Sequence, residues 1–196
     1  MDAAYVEKQE KNFWKYIERS LEENETPKEQ VEELENILAI KSEEELVAFE
    51  INLRKALKSL FKPEIVELCA ILLNPLKKEG NRIKIGKRPS LNGFLYFRCW
   101  LVLQGKEVVD IALKDIQKLT DTDINIAEVK AEGLLTVTQF AFTDNDEDDT
   151  ITKAARKFDK KISYDNEEVL PDEDVDYDNL DVKYPELLKT VFEFGD

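Results

Sequence analysis

Apolar positions along this chain recur mostly at three- and four-residue intervals, the period of an amphipathic helix. Phe13, Trp14, Ile17 and Leu21 form the stripe of a first helix running to about Asn24. Thr26 before Pro27 reads as an N-cap with proline at the first helical position. It opens a second helix whose inward face is Val31, Leu34, Ile37 and Leu38. Ser42-x-x-Glu45 has the form of a capping box ahead of Leu46, Phe49, Leu53, Leu57 and Leu60, a third helix. Pro63 begins a fourth, almost continuously apolar from Ile65 to Leu73 and halted at Asn74-Pro75.

Residues 75–89 break this period. Ile83 and Ile85 alternate there with charged residues, a pattern that admits a short strand or hairpin. The run from Ser90 to Gly105 is the most apolar and aromatic of the chain. Ser90 or Asn92 can cap its start, and Gly105 can end it in the left-handed conformation. Phe94, Phe97 and Leu101 lie on one face and Tyr96, Trp100 and Leu103 on the next, so the helix is apolar nearly all round and expected to be buried. At about a dozen residues it is too short to span a membrane. It reads as the central helix of a core.

Lys106 to about Lys118 continues as a helix with Val108, Val109, Ala112, Leu113 and Ile116 inward. Ala127 to Ala141 is expected to be helical despite the β-branched run Thr136-Val137-Thr138, because its neighbours are helices and a lone strand has no pairing partner. Asp144 to Asp149 reads as a charged linker, and Thr150 as the cap of a short helix with Ile151, Ala154, Ala155, Phe158 and Ile162 on one face. Asp165 to Lys183 is expected to be loop or partly disordered. Tyr184 to Phe194 offers Leu187, Leu188, Val191 and Phe192 to dock a last helix. The fold expected is all-α: an irregular multi-helix domain over 1–143, packed around a buried helix at about 92–104, followed by an acidic C-terminal extension over 144–196.

The run Gly93-Phe94-x-Tyr96-Phe97-Arg98-x-Trp100-Leu101-Val102-x-Gln104-Gly105 resembles the signature of a bacterial family known as domain of unknown function four-two-four-zero. Phe13-Trp14-x-x-Ile17 resembles that family's opening helix, and Glu45-Leu46-Val47-Ala48-Phe49 its second patch. The likeness spans roughly residues 10–143, with a weaker echo at Tyr184-Pro185-Glu186-Leu187. Where relatives carry a Cys-Ser-Asp-Asp-type approach to the central helix, this chain has Pro89-Ser90-Leu91-Asn92, so any site built on those acids is absent here. The resemblance implies a mostly helical fold and assigns no chemistry.

Composition adds two constraints. At 196 residues with 42% apolar, the chain can bury a sizeable single core. Its net charge of −15 opposes binding to nucleic acid, which needs cations to neutralise phosphates. The charge is concentrated: residues 1–143 hold 25 acids and 21 bases, residues 144–196 hold 18 acids and 7 bases. The first residues lack the basic start and apolar run of a signal peptide. With Cys69 and Cys99 in apolar helical settings no disulfide framework is expected, and the cytoplasm is the compartment this implies.

The chain has no histidine, the commonest general base and metal ligand. It carries no phosphate-binding glycine loop, and neither cysteine sits in an activating motif. No catalytic residue, metal or cofactor is therefore expected. Asp144-x-Asp146-x-Asp148 has the spacing of a calcium loop, but Asp149 and Ala155 stand where glycine and a bidentate glutamate are required.

Arg98 is a fixed cation among aromatics on a helix expected to be buried, and burying it unpaired would cost several kcal/mol. It needs an acid such as Glu107, Asp110 or Glu132 in a structural ion pair, or an anionic ligand in a pocket with Tyr96 at its mouth. In the extension, Asp172, Asp174, Asp176 and Asp178 alternate with Tyr177 and Leu180 nearby, acids to steer a basic partner and apolar groups to anchor it. The same side chains suit packing against the chain's own basic stretch Lys77–Arg88 equally well. The functional expectation is a non-enzymatic cytoplasmic interaction module with an acidic surface and a protein partner, without nucleic acid or membrane. An immunity or antitoxin-like protein neutralising a basic toxin, and a small-ligand binder or enzyme using a pocket near Tyr96 and Arg98, are the alternatives.

Overall fold

A computed structural model describes the chain except residues 23, 75, 81, 123, 144–147 and 195–196 and the side chains of 192–194. The architecture is all-α apart from one hairpin. Helix α1 spans Ala3–Leu21, α2 Pro27–Ala39, α3 Glu43–Ser59 and α4 Pro63–Leu73. Strands β1 (Leu76–Glu79) and β2 (Arg82–Ile85) pair antiparallel, Leu76 opposite Ile85 and Glu79 opposite Arg82. Gly80 supplies the positive φ of 64° at their turn. Then come α5 (Leu91–Leu103), α6 (Lys106–Lys114), α7 (Val137–Phe142), α8 (Thr150–Phe158), α9 (Leu180–Lys183) and α10 (Pro185–Phe194). Among the described residues no helix is long and apolar enough to cross a membrane.

The caps fix where these helices begin. Thr26 and Glu29 form a full capping box on α2, and Ser42 and Glu45 another on α3. On α5 the cap is Ser90, whose Oγ accepts from the Gly93 N–H at 3.0 Å. Gly105, at φ 90°, turns the chain from α5 directly into α6. Packing follows the apolar pattern: α5 touches α1, α2, α3, α4 and α6, and every residue from Phe97 to Leu103 is buried. Helix α3 lies beside it, packed on α1, α7 and α8.

Four boundaries differ from the sequence expectation. Helix α1 starts ten residues before Phe13 and stops at Leu21. Helix α6 ends at Lys114 because Asp115 is extended, and its carboxylate accepts from the Gln117 N–H at 3.1 Å to open a 3-10 turn over Ile116–Asp121. The expected helix over Ala127–Ala141 is confined to α7. Residues before it are irregular up to a 3-10 turn at Glu132–Leu135. There the Ala131 N–H donates to the carbonyl of Tyr96 at 3.1 Å, so this backbone is satisfied by α5 instead of by its own helix. Gly133 lets it sit close to α2, since a Cβ there would lie 3.3 Å from Val31 Cγ1. Finally, Thr150 is the first residue of α8 and not its cap; Asp148 Oδ1 accepts from its N–H at 2.9 Å. Asp144 and Asp146 of the calcium-like spacing lie outside the described residues, as does the Phe192 side chain.

Trp100 is 1% exposed, with its ring 5.4 Å from that of Phe97. Trp100→Ala should lower the unfolding free energy by about 3–5 kcal/mol, measured by chemical denaturation. A loss under about 1 kcal/mol would be the signature of a surface position.

Candidate functional site

Arg98 sits mid-way along α5, wholly shielded from solvent. Its Nη1 donates to the Leu57 carbonyl at 2.9 Å and to Glu167 Oε1 at 3.1 Å, and its Nη2 donates to Glu167 Oε2. The guanidinium lies 4.7 Å from the centroid of Phe94 and 5.0 Å from that of Phe61. Lys58 Nζ stands 3.9 Å from the same carboxylate. Its partner is thus an acid of the extension, and not Glu107, Asp110 or Glu132. Tyr96 does not join it: residues two apart on a helix do not share a face, and Tyr96 is half-buried beside the Ala131 backbone.

A second buried cation was not singled out in the sequence. Arg54, on α3, is also fully shielded. Its Nε donates to Glu50 Oε1 at 2.8 Å, its Nη1 to Asp165 Oδ2 at 3.0 Å, and its Nη2 to the Tyr164 hydroxyl at 3.4 Å. Glu50 also accepts from Thr138 Oγ1 at 3.0 Å, and Asp165 from Arg156 Nε at 2.8 Å. Burial pushes the Glu50 carboxyl above the usual carboxylate range, against the pull of Arg54 and Thr138. At Asp165 burial acts in the same sense, but the hydrogen bonds from Ser163, Arg156 and Arg54 outweigh it and hold the group low. The Glu50–Arg54 spacing of four is an ion-pair signal on a helix; its burial is what the sequence did not disclose.

Beyond Glu167 the extension runs across the hairpin, and its charges meet the basic stretch one after another. Asp172 accepts from Arg88 Nη2 and from the Tyr177 hydroxyl, each at 2.6 Å. Arg82 Nη2 and Lys84 Nζ donate to the Asp178 carbonyl at 3.0 and 3.2 Å. Arg82 forks onto Asp181 with both bonds at 2.5 Å, and Asp181 also accepts from the Ile83 N–H at 3.2 Å. At the far end the polarity reverses: Glu67 of α4 accepts from Lys183 Nζ at 2.7 Å and from the Tyr184 hydroxyl. Of the candidate recognition residues, Asp172 and Leu180 are buried and Tyr177 half-buried in this internal contact, while Asp174, Asp176 and Asp178 face outward. Asp176 accepts from the Asp178 N–H at 3.2 Å and from Asn179 Nδ2 at 2.7 Å.

A cleft of about 880 Å³ opens elsewhere, where the end of α1, the start of α2 and the end of α5 meet Asp121, Thr122, Ile124 and Glu128. Trp100, Leu21, Pro27, Val108 and Ile124 give it an apolar lining, and Gln30 and Gln104 add amides. Among the described residues its charged lining is Glu25, Glu107, Asp121 and Glu128, with no lysine or arginine. Gln30 is held in place by its Nε2 bond to the Leu103 carbonyl at 2.7 Å. Sequence reasoning missed this site because its acids come from four separate elements of a stretch that is nearly charge-balanced. Cys69 and Cys99 are both buried, and burial pushes both thiols up, away from the thiolate a nucleophile needs. Among the described residues no group of three or more Asp, Glu or Cys is arranged to hold a metal ion.

Two outcomes follow from the extension's contacts. Tyr177→Ala with Leu180→Ala should destabilise the protein by about 3 kcal/mol or more in chemical unfolding; a change below about 1 kcal/mol would show that the segment bears no structural load. Arg82 holds the Asp181 carboxyl down at about 2, below the roughly 3.9 of an unfolded aspartate. Its contribution is therefore whole above about pH 4 and is lost as pH falls toward 2. Asp165 is held low in the same sense. Amide protection factors across 165–183, the exchange rate of an unstructured peptide relative to that of the protein at the same pH, should fall through that interval, and unchanged protection would contradict the linkage.

No curated protein and no solved structure matches the chain. A family model does match, over residues 9–144, which takes in most of α1 and all of α2 through α7 with the hairpin, the cleft, Arg54 and Arg98. With most of its length matched, the chain belongs to the family described as Protein of unknown function (DUF4240).

Proposed function

We propose that this protein is a non-enzymatic cytoplasmic interaction module that takes up a cationic segment of a protein partner in the cleft beside Trp100. One observation carries this reading: among the described residues, four carboxylates and no cation line a concave, partly apolar space of about 880 Å³. Such a site attracts a lysine or arginine side chain electrostatically and offers apolar surface to its methylene stem. The overall charge of −15 adds long-range attraction for a basic partner. The same carboxylates repel phosphate, which disfavours nucleic acid as the occupant.

Trp14→Phe leaves Trp100 as the sole tryptophan and an optical reporter at the cleft. Titration with an arginine- and lysine-rich peptide should change its emission and give a Kd that weakens with salt. Glu107→Lys with Glu128→Lys should weaken binding at least tenfold with little change in Tm. Neutralising Asp174, Asp176 and Asp178 to Asn should leave the Kd within about twofold. If the second set weakens binding and the first does not, the partner surface is the extension and the cleft reading fails.

A further inference from the structure

Apart from the Lys183–Glu67 pair, the cations that hold the extension and the anions they hold fall on opposite sides of one boundary. Arg54, Lys58, Arg82, Lys84, Arg88 and Arg98 all lie within the region matched by the family model, residues 9–144. The carboxylates that reach them from the extension, Asp165, Glu167, Asp172 and Asp181 among them, all lie outside it. Arg54 has a partner of its own inside the matched region, Glu50. Arg98 does not: among the described residues its acceptor there is the neutral Leu57 carbonyl. A fully buried guanidinium needs an anion, so the matched region carries a cationic seat completed from beyond it.

The seat has the build of a binding site. Phe61 and Phe94, whose ring centroids are 6.0 Å apart, pack side by side against the guanidinium. Lys58, 42% exposed at its side chain, stands at the carboxylate and connects the seat to the surface. Glu167 occupies the end-on fork with its two oxygens, and among the described residues Arg98 Nε, itself fully buried, has no acceptor. We propose that the seat formed by Arg98 and Lys58 beside Phe61 and Phe94 is a binding site for an oxyanion, a phosphate or carboxylate group, in which Glu167 is an internal stand-in. The free Nε–H lies on the side edge of the guanidinium, which an occupant reaches by bridging Nε and one Nη instead of Nη1 and Nη2. The site is separate from the acidic cleft, and opposite in charge, so the two readings stand or fall independently.

The test uses the full chain. Glu167→Ala vacates the seat, and Arg98→Met in the same background abolishes it. Inorganic phosphate and, separately, acetate are titrated at ionic strength matched with sodium chloride, following the arginine Nε–H resonances. At least one anion should bind Glu167→Ala no less than tenfold more tightly than the unsubstituted chain, equivalent to about 1.4 kcal/mol, and Arg98→Met should erase the gain. Preference for phosphate identifies a phosphate-bearing ligand, preference for acetate a carboxylate, and either supports the seat. Should Glu167→Ala fold only when one of these anions is present, that rescue supports it too. Glu167→Gln, which keeps a neutral side chain in place, is titrated alongside. Equal affinity in the unsubstituted chain and both variants, persistence of binding in Arg98→Met, or failure of both Glu167 variants to fold in either anion overturns the proposal.

Discussion

The structure turns on two guanidinium groups placed where solvent cannot reach them. Removing a cation from water costs several kcal/mol unless a charged, hydrogen-bonded partner is supplied. Arg98 sits in the central helix and Arg54 in the helix beside it, so the best-packed part of the core is also where an unmet charge would do most damage. Glu50 meets Arg54 from one turn away on the same helix. Glu167 and Asp165 must be brought from more than a hundred positions after Arg54 and some seventy after Arg98, and they share one short segment. The core's electrostatics and the path of the extension are therefore a single problem with a single solution: where Glu167 goes, the chain on either side of it must follow.

That dependence explains what could be read in the sequence. Capping boxes and apolar spacing are local, and they placed α2, α3, α4 and α5 closely. The Ala127–Ala141 expectation failed because its deciding interaction is not local: the Ala131 N–H finds its acceptor on Tyr96, thirty-five positions earlier. Arg98 was legible as a buried cation in need of an anion, since aromatics surround it in sequence as they do in space. Its partner was not legible, because nothing in the periodicity of α5 distinguishes Glu167 from any other of the chain's 43 acids. The basic stretch and the acidic extension were visible as complementary charge, but the pairing order of Arg88 with Asp172 and Arg82 with Asp181 is a property of the path alone.

Net charge by segment also proves a poor guide to where acidity is presented. The extension holds the acid excess, yet Asp165, Glu167, Asp172 and Asp181 are directed inward or onto the hairpin and each meets a cation. The cleft beside Trp100 lies within the nearly balanced part, and there it is the bases that are missing from the lining. Neutralisation removes these four from the extension's exposed negative charge, while Asp174, Asp176 and Asp178 keep theirs at the surface. Long-range steering sums over all charges, whereas recognition at contact depends on those left unpaired.

The choice of cation follows the same division between inside and outside. Both wholly buried positions are arginine, while Lys58, Lys84 and Lys183 act at places where each side chain keeps contact with solvent. A guanidinium at 98 donates to a carbonyl and to both oxygens of one carboxylate while its flat face rests against two phenyl rings. An ammonium has no plane to lay against Phe61 and Phe94, and it presents no fork to match the carboxylate. It also sheds its hydration less readily, and can escape burial by losing its proton. Arginine keeps its charge under these conditions, and a permanent charge is what lets the core act on a segment so distant in sequence.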